Sequence, residues 1–236
     1  MLDFTGVKAI TIPEGKVKKI TRKSDGVVLW EKATGRIPSA YQEVEYIGNV
    51  ISSSSAGSYI NLGIAFDTAC TFYINFVPST SSAAYIFGAA ENSGKLRCMI
   101  TDQTANTLLY GSSGSAYNSV GTAKYNAEKS LKCEMKKGLI KITDLLKGDS
   151  AQGTSQGEYT MTSNLFLFAQ NYNGAARMAN NTKLKSFSYY DKNNTLICDL
   201  VPCYRKADGV IGMYDIVRKI FLTNAGTGSF TKGANV

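Results

Sequence analysis

Histidine is absent from this sequence of 236 residues, and proline and tryptophan are scarce, with four copies and one copy respectively. The absence of histidine excludes Ser-His and Cys-His catalytic mechanisms and argues against a catalytic zinc site. No apolar run reaches about 18 residues, and the first residues lack the apolar segment of a cleaved signal peptide. We therefore expect no membrane insertion and no export signal.

Charge is moderately biased towards the basic side. The chain has 26 Lys and Arg residues against 18 Asp and Glu residues, a formal net charge of +8. Two interpretations stay open: solvated lysines scattered over strand faces, or attraction to an anionic polymer or an acidic partner. No basic stripe with interleaved aromatic residues is present, so nucleic acid is not an expected partner.

The five cysteines form an odd set without the paired spacing of a metal site. Several occupy alternating apolar positions, which predicts reduced, buried side chains that act as small hydrophobes. The five are Cys70, Cys98, Cys133, Cys198 and Cys203. The sequence indicates no metal and no cofactor.

Hydrophobic residues alternate with a period of two in many short segments, and no segment longer than about ten residues has a convincing helical period. The clearest segments are residues 43–47, 72–76, 96–100, a hairpin over 130–142, a central strand over 164–170 and a second hairpin over 186–201. Such short strands separated by Ser-, Gly- and Asn-rich loops are typical of a β-sandwich. The predicted fold class is all-β.

The first 33 residues are predicted to form a small β-meander with strands at 7–12, 17–21 and 27–30. Residues 34–36 are a predicted linker, and residues 37–236 the sandwich. A meander of this size is marginal alone in water, so its Val28, Leu29 and Trp30 need a surface to pack against. Two interpretations stay open: the meander caps the larger domain, or it docks on another protein.

Three motif-like stretches are interpreted as structural. GAAENSGKL (88–96) lacks the first glycine and the final Ser or Thr of a phosphate loop. Glu43 and Glu45 share a strand face, but the third acid found in laminarinase-type glucanases is missing. DKNNT (191–195) lacks the glycine and the closing glutamate of a calcium loop. We expect turns and solvated edges at these places, and no catalytic residue.

AQNYNGAAR, over residues 169–177, is the best candidate for a ligand site. A strand leads into a loop with Asn171, Tyr172, Asn173 and Arg177. Tyrosine rings stack on sugar rings, while Asn and Arg supply the directed hydrogen bonds that hydroxyl groups need. The alternative interpretation is an ordinary hairpin with an Asn-Gly turn.

Seven stretches occur in an order that resembles a known family: IPSAYQEVEYI, GSYINLGI, YIFGA, LFLFAQNYNG, LICDLVP, DGVIGMYD and FLTNAGTGSF. Together they resemble concanavalin A-like (laminin-G-like) sandwich domains in phage and prophage tail proteins. The resemblance runs from Ile37 to Phe230, and its last block is the most specific part. Asn61 stands where an aspartate is common, and Cys198 replaces a usual arginine.

The resemblance implies a jelly-roll-like, concanavalin A-type sandwich. The final block, 208–230, is then a folding signature rather than an active site. Its glycines are expected to allow positive φ angles where strands reverse. Tyr214, Phe221 and Phe230 are expected in the core.

The resemblance also implies a virion protein that is assembled in the bacterial cytoplasm. We expect a tail-associated receptor-binding protein, a homotrimer that contacts bacterial surface glycans through its loops. Its N-terminal module, with Val28, Leu29 and Trp30, is expected to attach to other phage structural proteins. The alternative is a purely structural head or tail subunit without a ligand. A glycan-cleaving enzyme is disfavoured by the missing acid motif.

Overall fold

The computed structural model describes residues 19–21, 28–31, 36–49, 57–65, 69–77, 84–91, 95–101, 107–112, 116–122, 128–154, 162–177 and 182–236. Every regular element in these residues is a β-strand, which confirms the all-β prediction. Within the same residues, no helix has the length and apolar character needed to cross a membrane.

The described residues form 21 strands, numbered here in chain order. They are β1 (Lys19–Thr21), β2 (Val28–Glu31), β3 (Tyr41–Glu43), β4 (Ile47–Asn49), β5 (Ile60–Asn61), β6 (Cys70–Val77), β7 (Ala84–Ala90), β8 (Lys95–Thr101), β9 (Thr107–Ser112), β10 (Ala116–Thr122), β11 (Lys129–Lys136), β12 (Leu139–Asp144), β13 (Ser150–Gly153), β14 (Phe166–Leu167), β15 (Gln170–Tyr172), β16 (Ala175–Arg177), β17 (Lys183–Tyr190), β18 (Leu196–Arg205), β19 (Ile211–Asp215), β20 (Ile220–Thr223) and β21 (Phe230–Lys232).

Two large sheets form the sandwich. The larger sheet has the order β13-β12-β11-β6-β17-β18-β19-β20, with β3 beside β18 and with β4 between β17 and β21. The smaller sheet has the order β10-β9-β8-β7-β14-β5, and the β15–β16 hairpin is attached to β7. Strands β1 and β2 pair with each other in a sheet of their own.

The core lies between the two large sheets. On β6, Phe72, Ile74 and Phe76 are buried and alternate with half-buried residues, as the sequence predicted. Phe87 of the smaller sheet contacts Phe72 and Phe187 of the larger sheet, with ring centroids 5.0 and 5.5 Å apart. These aromatic contacts bury large apolar areas and hold the two layers together.

Both predicted hairpins of the larger sheet are confirmed. Strands β11 and β12 are joined at Lys137–Gly138, where Gly138 has a φ of 75°. Strands β17 and β18 are joined by the turn over 191–195. There the Asp191 carboxylate accepts hydrogen bonds from the backbone N–H groups of Asn193 (2.9 Å) and Thr195 (2.8 Å). The DKNNT stretch is therefore a turn, as predicted.

Two strand predictions need correction. Residues 43–47 are not one strand, because β3 pairs with β18 whereas β4 pairs with β17 and β21. The predicted central strand over 164–170 is buried but broken at Phe168, which has a φ of 67°. Its N–H donates to the Ile86 carbonyl at 2.7 Å, so the chain reverses along β7 instead of passing straight into the next loop.

The glycines of the C-terminal block serve two different purposes. Gly209 has a φ of 72° between β18 and β19, as expected. The expectation of positive φ is wrong for Gly212 and Gly226. Glycine is needed at these two positions because other chain segments approach them too closely for a side chain. A Cβ atom would lie 2.2 Å from the carbonyl oxygen of Leu222 at Gly212, and 2.2 Å from that of Gly57 at Gly226.

The aromatic residues of this block are buried to different degrees. Tyr214 and Phe230 are 5% and 8% exposed, which confirms them as interior residues. Phe221 is half-buried and lies at the sheet margin, so its core assignment is wrong. The Tyr41 ring packs against both Tyr214 and Phe221, at centroid distances of 5.1 and 4.9 Å.

The two ends of the sandwich segment meet. The Val236 N–H donates to the Glu43 carbonyl at 3.1 Å, and the Gly233 N–H donates to the Tyr46 carbonyl at 3.0 Å. Strand β21 pairs with β4 beside these bonds. The last strand therefore completes the larger sheet by binding to the first part of the same segment.

Cys70, Cys133, Cys198 and Cys203 are buried and free of disulfide bonds, as predicted, while the Cys98 side chain lies outside the described residues. Burial raises the pKa of the Cys203 thiol to about 12 and also raises the pKa of Cys198. Cys198 belongs to the hydrophobic core. In this protein Cys198 is therefore a packing residue.

Candidate functional site

The predicted ligand loop is a β-hairpin made of β15 and β16. Asn173 and Gly174 connect the strands with φ angles of 48° and 89°, the two positive values that a type I′ turn requires. Across the hairpin, Tyr172 pairs with Ala175 and Gln170 pairs with Arg177. The Asn-Gly turn is confirmed.

The base of the hairpin is fixed to the smaller sheet. Asn171 and Tyr172 pair with Ala89 and Ala90 of β7 in a short parallel ladder. The Asn173 N–H also donates to the Ala90 carbonyl at 3.1 Å. The hairpin is therefore a rigid projection from a central strand, which is the setting in which loops usually carry binding residues.

Asn171 is buried, with 3% of its surface exposed. Its Nδ2 donates to the Asn164 carbonyl at 2.8 Å, and its Oδ1 accepts from the Gly174 N–H at 2.8 Å. Both ends of the amide thus bond within the protein. Of the predicted ligand residues, Asn171 holds the turn in place, whereas Tyr172, Asn173 and Arg177 reach the surface.

Tyr172 and Arg177 form a stacked pair on one face of the hairpin. The guanidinium carbon of Arg177 lies 3.6 Å from the centroid of the Tyr172 ring, well within the range of a cation–π contact. Arg177 is exposed and Tyr172 is half-buried. The stack fixes the plane of the guanidinium and leaves its N–H edge at the surface.

Gln170 is a residue of this site that the sequence interpretation missed. It is 3% exposed, directly across from Arg177 and on the same face as Tyr172. Its Nε2 has no hydrogen-bond partner within the described part of the chain. A buried amide donor without a partner is rare in proteins. The signal in the sequence was a glutamine that directly follows five consecutive apolar residues.

The hairpin is suited to binding oxygen-rich ligands. Arg177 offers up to five N–H donors in a fixed plane, and the exposed Asn173 amide offers both donors and an acceptor. Residues 170–177 contain no Ser, Thr, Cys or His side chain. Among the described residues, no group of three or more His, Cys, Asp or Glu side chains is arranged to bind a metal ion.

The residues predicted to attach to the virion lie outside the β15–β16 hairpin. Val28, Leu29 and Trp30 lie on β2, where Trp30 pairs with Ile20 and Val28 with Thr21 of β1. The predicted strands over 17–21 and 27–30 thus correspond to β1 and β2, while the strand over 7–12 lies outside the described residues. The role of this module in attachment stays a prediction.

Solved structures with the same architecture are distant in sequence. The Limulus polyphemus SAP-like pentraxin is 8% identical with a TM-score of 0.53, over 80% of this chain and 95% of that one. A Bacteroides ovatus protein described as carbohydrate-binding is 13% identical with a TM-score of 0.52, over 82% and 62%. Domains of the mouse laminin α1 chain are 9% identical with a TM-score of 0.44, over 67% and 41%.

The similarities to the pentraxin and to the Bacteroides protein show the fold. It is a jelly-roll-like β-sandwich of the concanavalin A type. The chain spans less than two thirds of the length of the laminin and Bacteroides proteins. No protein-family model matches the sequence. The search of curated proteins found no match either. At identities this low the likeness concerns the fold alone, so function has to be argued from the residues.

Proposed function

We propose that this protein is a carbohydrate-binding adhesion protein and that the β15–β16 hairpin contacts the ligand. The observation that carries the proposal is the Tyr172–Arg177 stack, a planar cation held at the surface by a rigid hairpin. The buried Gln170 donor beside it adds a second group able to bind oxygen. A Bacteroides protein of the same fold that is described as carbohydrate-binding supports this class of ligand.

The hairpin favours an acidic glycan. A guanidinium group matches the geometry of carboxylate and phosphate groups, to which it can donate two parallel hydrogen bonds. The net charge of +8 would raise the local concentration of a polyanion around the protein. We therefore place uronate- or phosphate-containing polymers of the bacterial surface first among the ligands.

The sequence resemblance supports a place on a phage tail. In this proposal, residues 1–33 attach to other virion proteins through Val28, Leu29 and Trp30, and the sandwich faces the host cell. A homotrimer would bring three hairpins to one glycan surface, and several weak contacts would then give firm attachment. The protein acts by binding and not as an enzyme.

A structural subunit without a ligand is the alternative function. One observation favours it: Leu145 and Leu146, on the turn after β12, are 48% and 59% exposed. Exposed neighbouring leucines are typical of a surface that contacts another protein. In this case the sandwich would serve assembly, and the hairpin would be a plain turn.

The decisive experiment measures binding of the full chain, displayed on fluorescent beads, to host cells with intact or stripped wall glycans. Display on beads supplies the multivalency that weak sugar contacts need. We expect binding that is lost on stripping. The Arg177→Lys variant keeps the charge but loses the stacked, forked geometry, and we expect roughly three- to tenfold weaker binding.

Lys147→Gln is the matched control, because it removes an exposed positive charge from the turn after β12. If Lys147→Gln weakens binding as much as Arg177→Lys does, the attraction is general electrostatics and the hairpin is not the site. If the unmodified protein binds intact and stripped cells equally, or binds neither, the structural subunit becomes the better description.

A further inference from the structure

The outer face of the larger sheet carries a polar row that crosses four strands. Lys132 of β11 pairs with Tyr73 of β6, Tyr73 pairs with Ser188 of β17, and Ser188 pairs with Asp199 of β18. All four are half-buried, while their neighbours along each strand point into the core. The Ser188 hydroxyl donates to Asp199 Oδ1 at 2.8 Å.

Two tyrosines lie at the centre of this face. The rings of Tyr73 and Tyr190 meet edge to face, with centroids 5.7 Å apart. Lys132 Nζ lies 6.0 Å from the Tyr73 centroid and 2.7 Å from Glu134 Oε1. The side chains of Lys132 and Glu134 are 30% and 28% exposed, so this cluster is ordered by its own contacts yet open to a ligand.

A cavity of about 150 Å³ continues this face at the end of the sheet. Glu134 and Thr71, which pair across β11 and β6, line the cavity, and Thr71 pairs on its other side with Tyr190. The β17–β18 turn contributes Asp191, Lys192 and Asn194, and β11 also contributes Lys136. Carboxylate, hydroxyl, amide and ammonium groups thus line a cavity whose Thr71 is the cross-strand neighbour of Tyr190.

The size and chemistry of the cavity suit one end of a sugar. An engineered protein cavity of about 150 Å³ holds a benzene ring of six carbon atoms, whereas a hexose has twelve non-hydrogen atoms, so the rest of the sugar would lie outside the cavity over the sheet face. Carboxylates accept hydrogen bonds from sugar hydroxyls, and an amide can donate and accept. Tyr190 and Tyr73 offer the aromatic surface on which the next ring of the chain can lie.

We propose that the outer face of the larger sheet is a second saccharide site. It takes a neutral oligosaccharide of hexoses or N-acetylhexosamines and comprises Thr71, Tyr73, Glu134, Tyr190 and Asp191. Glu134 and Asp191 are balanced by Lys136 and Lys192, which also line the cavity, so the site has no net formal charge and suits a neutral sugar, unlike the acidic glycan of the hairpin. The inference takes only the class of ligand, a carbohydrate, from the proposed function. The site itself is independent of the hairpin, because the two surfaces belong to different sheets.

The test is a titration of the isotope-labelled full chain with maltotetraose and with chitotetraose, followed by NMR. We expect shift changes at Thr71, Tyr73, Glu134 and Tyr190 with at least one of the two sugars. The Tyr190→Ser variant should bind that sugar about tenfold more weakly, since it loses a stacking ring. Glu134→Gln keeps the shape of the side chain and should also weaken binding. The same effect in this conservative variant would show that the loss of affinity in Tyr190→Ser does not come from misfolding.

Tyr46→Ser is the matched control, because Tyr46 is likewise half-buried and has the Lys183 ammonium 5.0 Å from its ring centroid. It should leave the affinity unchanged. Shift changes confined to residues 170–177 would overturn the second site and leave the hairpin proposal standing. If neither sugar shifts any residue of the outer face, the second site is rejected, while the cell-binding assay decides separately on the hairpin.

Discussion

At the scale of single residues, a buried carboxylate links the two sheets. Asp215 is fully buried and accepts hydrogen bonds from the backbone N–H groups of Asp199 (3.3 Å), Val217 (3.0 Å) and Arg218 (3.2 Å). It also pairs with the Arg218 guanidinium, which donates to the carbonyl of Leu62 at 2.7 Å. One side chain therefore fixes the β19–β20 turn of the larger sheet against the chain that follows β5 of the smaller sheet.

Replacing Asp215 by Asn should lower the free energy of unfolding by about 3 kcal/mol, because it leaves Arg218 without its partner in a mostly buried place. Urea unfolding followed by circular dichroism measures this change. Asp208→Asn is the control: Asp208 pairs with Arg205 where both side chains are more than 40% exposed. There we expect little change, since water screens the pair. Equal effects of the two substitutions would contradict the role given to Asp215.

Two glycine substitutions distinguish the stability cost of a close backbone approach from the cost of a positive φ angle. Gly226→Ala should destabilise the protein by about 3 kcal/mol or more, because the new methyl group would overlap the Gly57 carbonyl and backbone segments would have to shift. Gly148→Ala, at a φ of 80° with nothing within 4 Å, should cost only about 1–2 kcal/mol of backbone strain. Thermal unfolding of both variants tests the order, and a larger loss at Gly148 would contradict it.

At the scale of strands and hairpins, alternation and turn residues allow most of the larger sheet to be predicted, because local sequence decides those features. Strands β6, β11 and β12 follow from period two alone. The break at Phe168 could not be predicted, since it depends on a hydrogen bond to Ile86 about 80 residues earlier. For the same reason the sequence indicated Tyr172 and Arg177 as candidates but not their stacking, which requires the pairing register of β15 and β16.

Replacing Asn171 by Ala should loosen the β15–β16 hairpin more than the rest of the molecule. The variant loses the hydrogen bonds to the Asn164 carbonyl and the Gly174 N–H in a buried place, at a cost of about 1–3 kcal/mol. Hydrogen exchange should become faster at residues 172–177. Asn193→Ala is the control, because only the backbone N–H of Asn193 bonds within its turn. Unchanged exchange in the hairpin of the first variant would show that Asn171 does not hold it.

At the scale of the whole molecule, the core residues that the structure describes lie within the sandwich segment. The clustered buried residues run from Val44 to Phe230, whereas β1 and β2 pair only with each other. Removing residues 1–33 should therefore leave the free energy of unfolding of the sandwich unchanged within about 0.5 kcal/mol. Under the proposed function, the same deletion should abolish incorporation of the protein into phage particles.

Two results would change this description. A lower urea midpoint for the shortened chain would indicate that the N-terminal residues cap the sandwich, the other interpretation that the sequence left open. Normal incorporation of the shortened chain into particles would show that attachment depends on another surface, for which the exposed Leu145 and Leu146 would be the next candidates.

The meeting of β4 with β21 also has a consequence for synthesis on the ribosome. Residues 43–49 leave the exit tunnel long before residues 230–236, the segment that completes their hydrogen bonding. Until then, β4 presents an unpaired edge, which other nascent chains could join. The sheet can close only after the final residues of this sequence have emerged, so translation that stops short of β21 should yield insoluble protein even though nearly all of the core residues have been made.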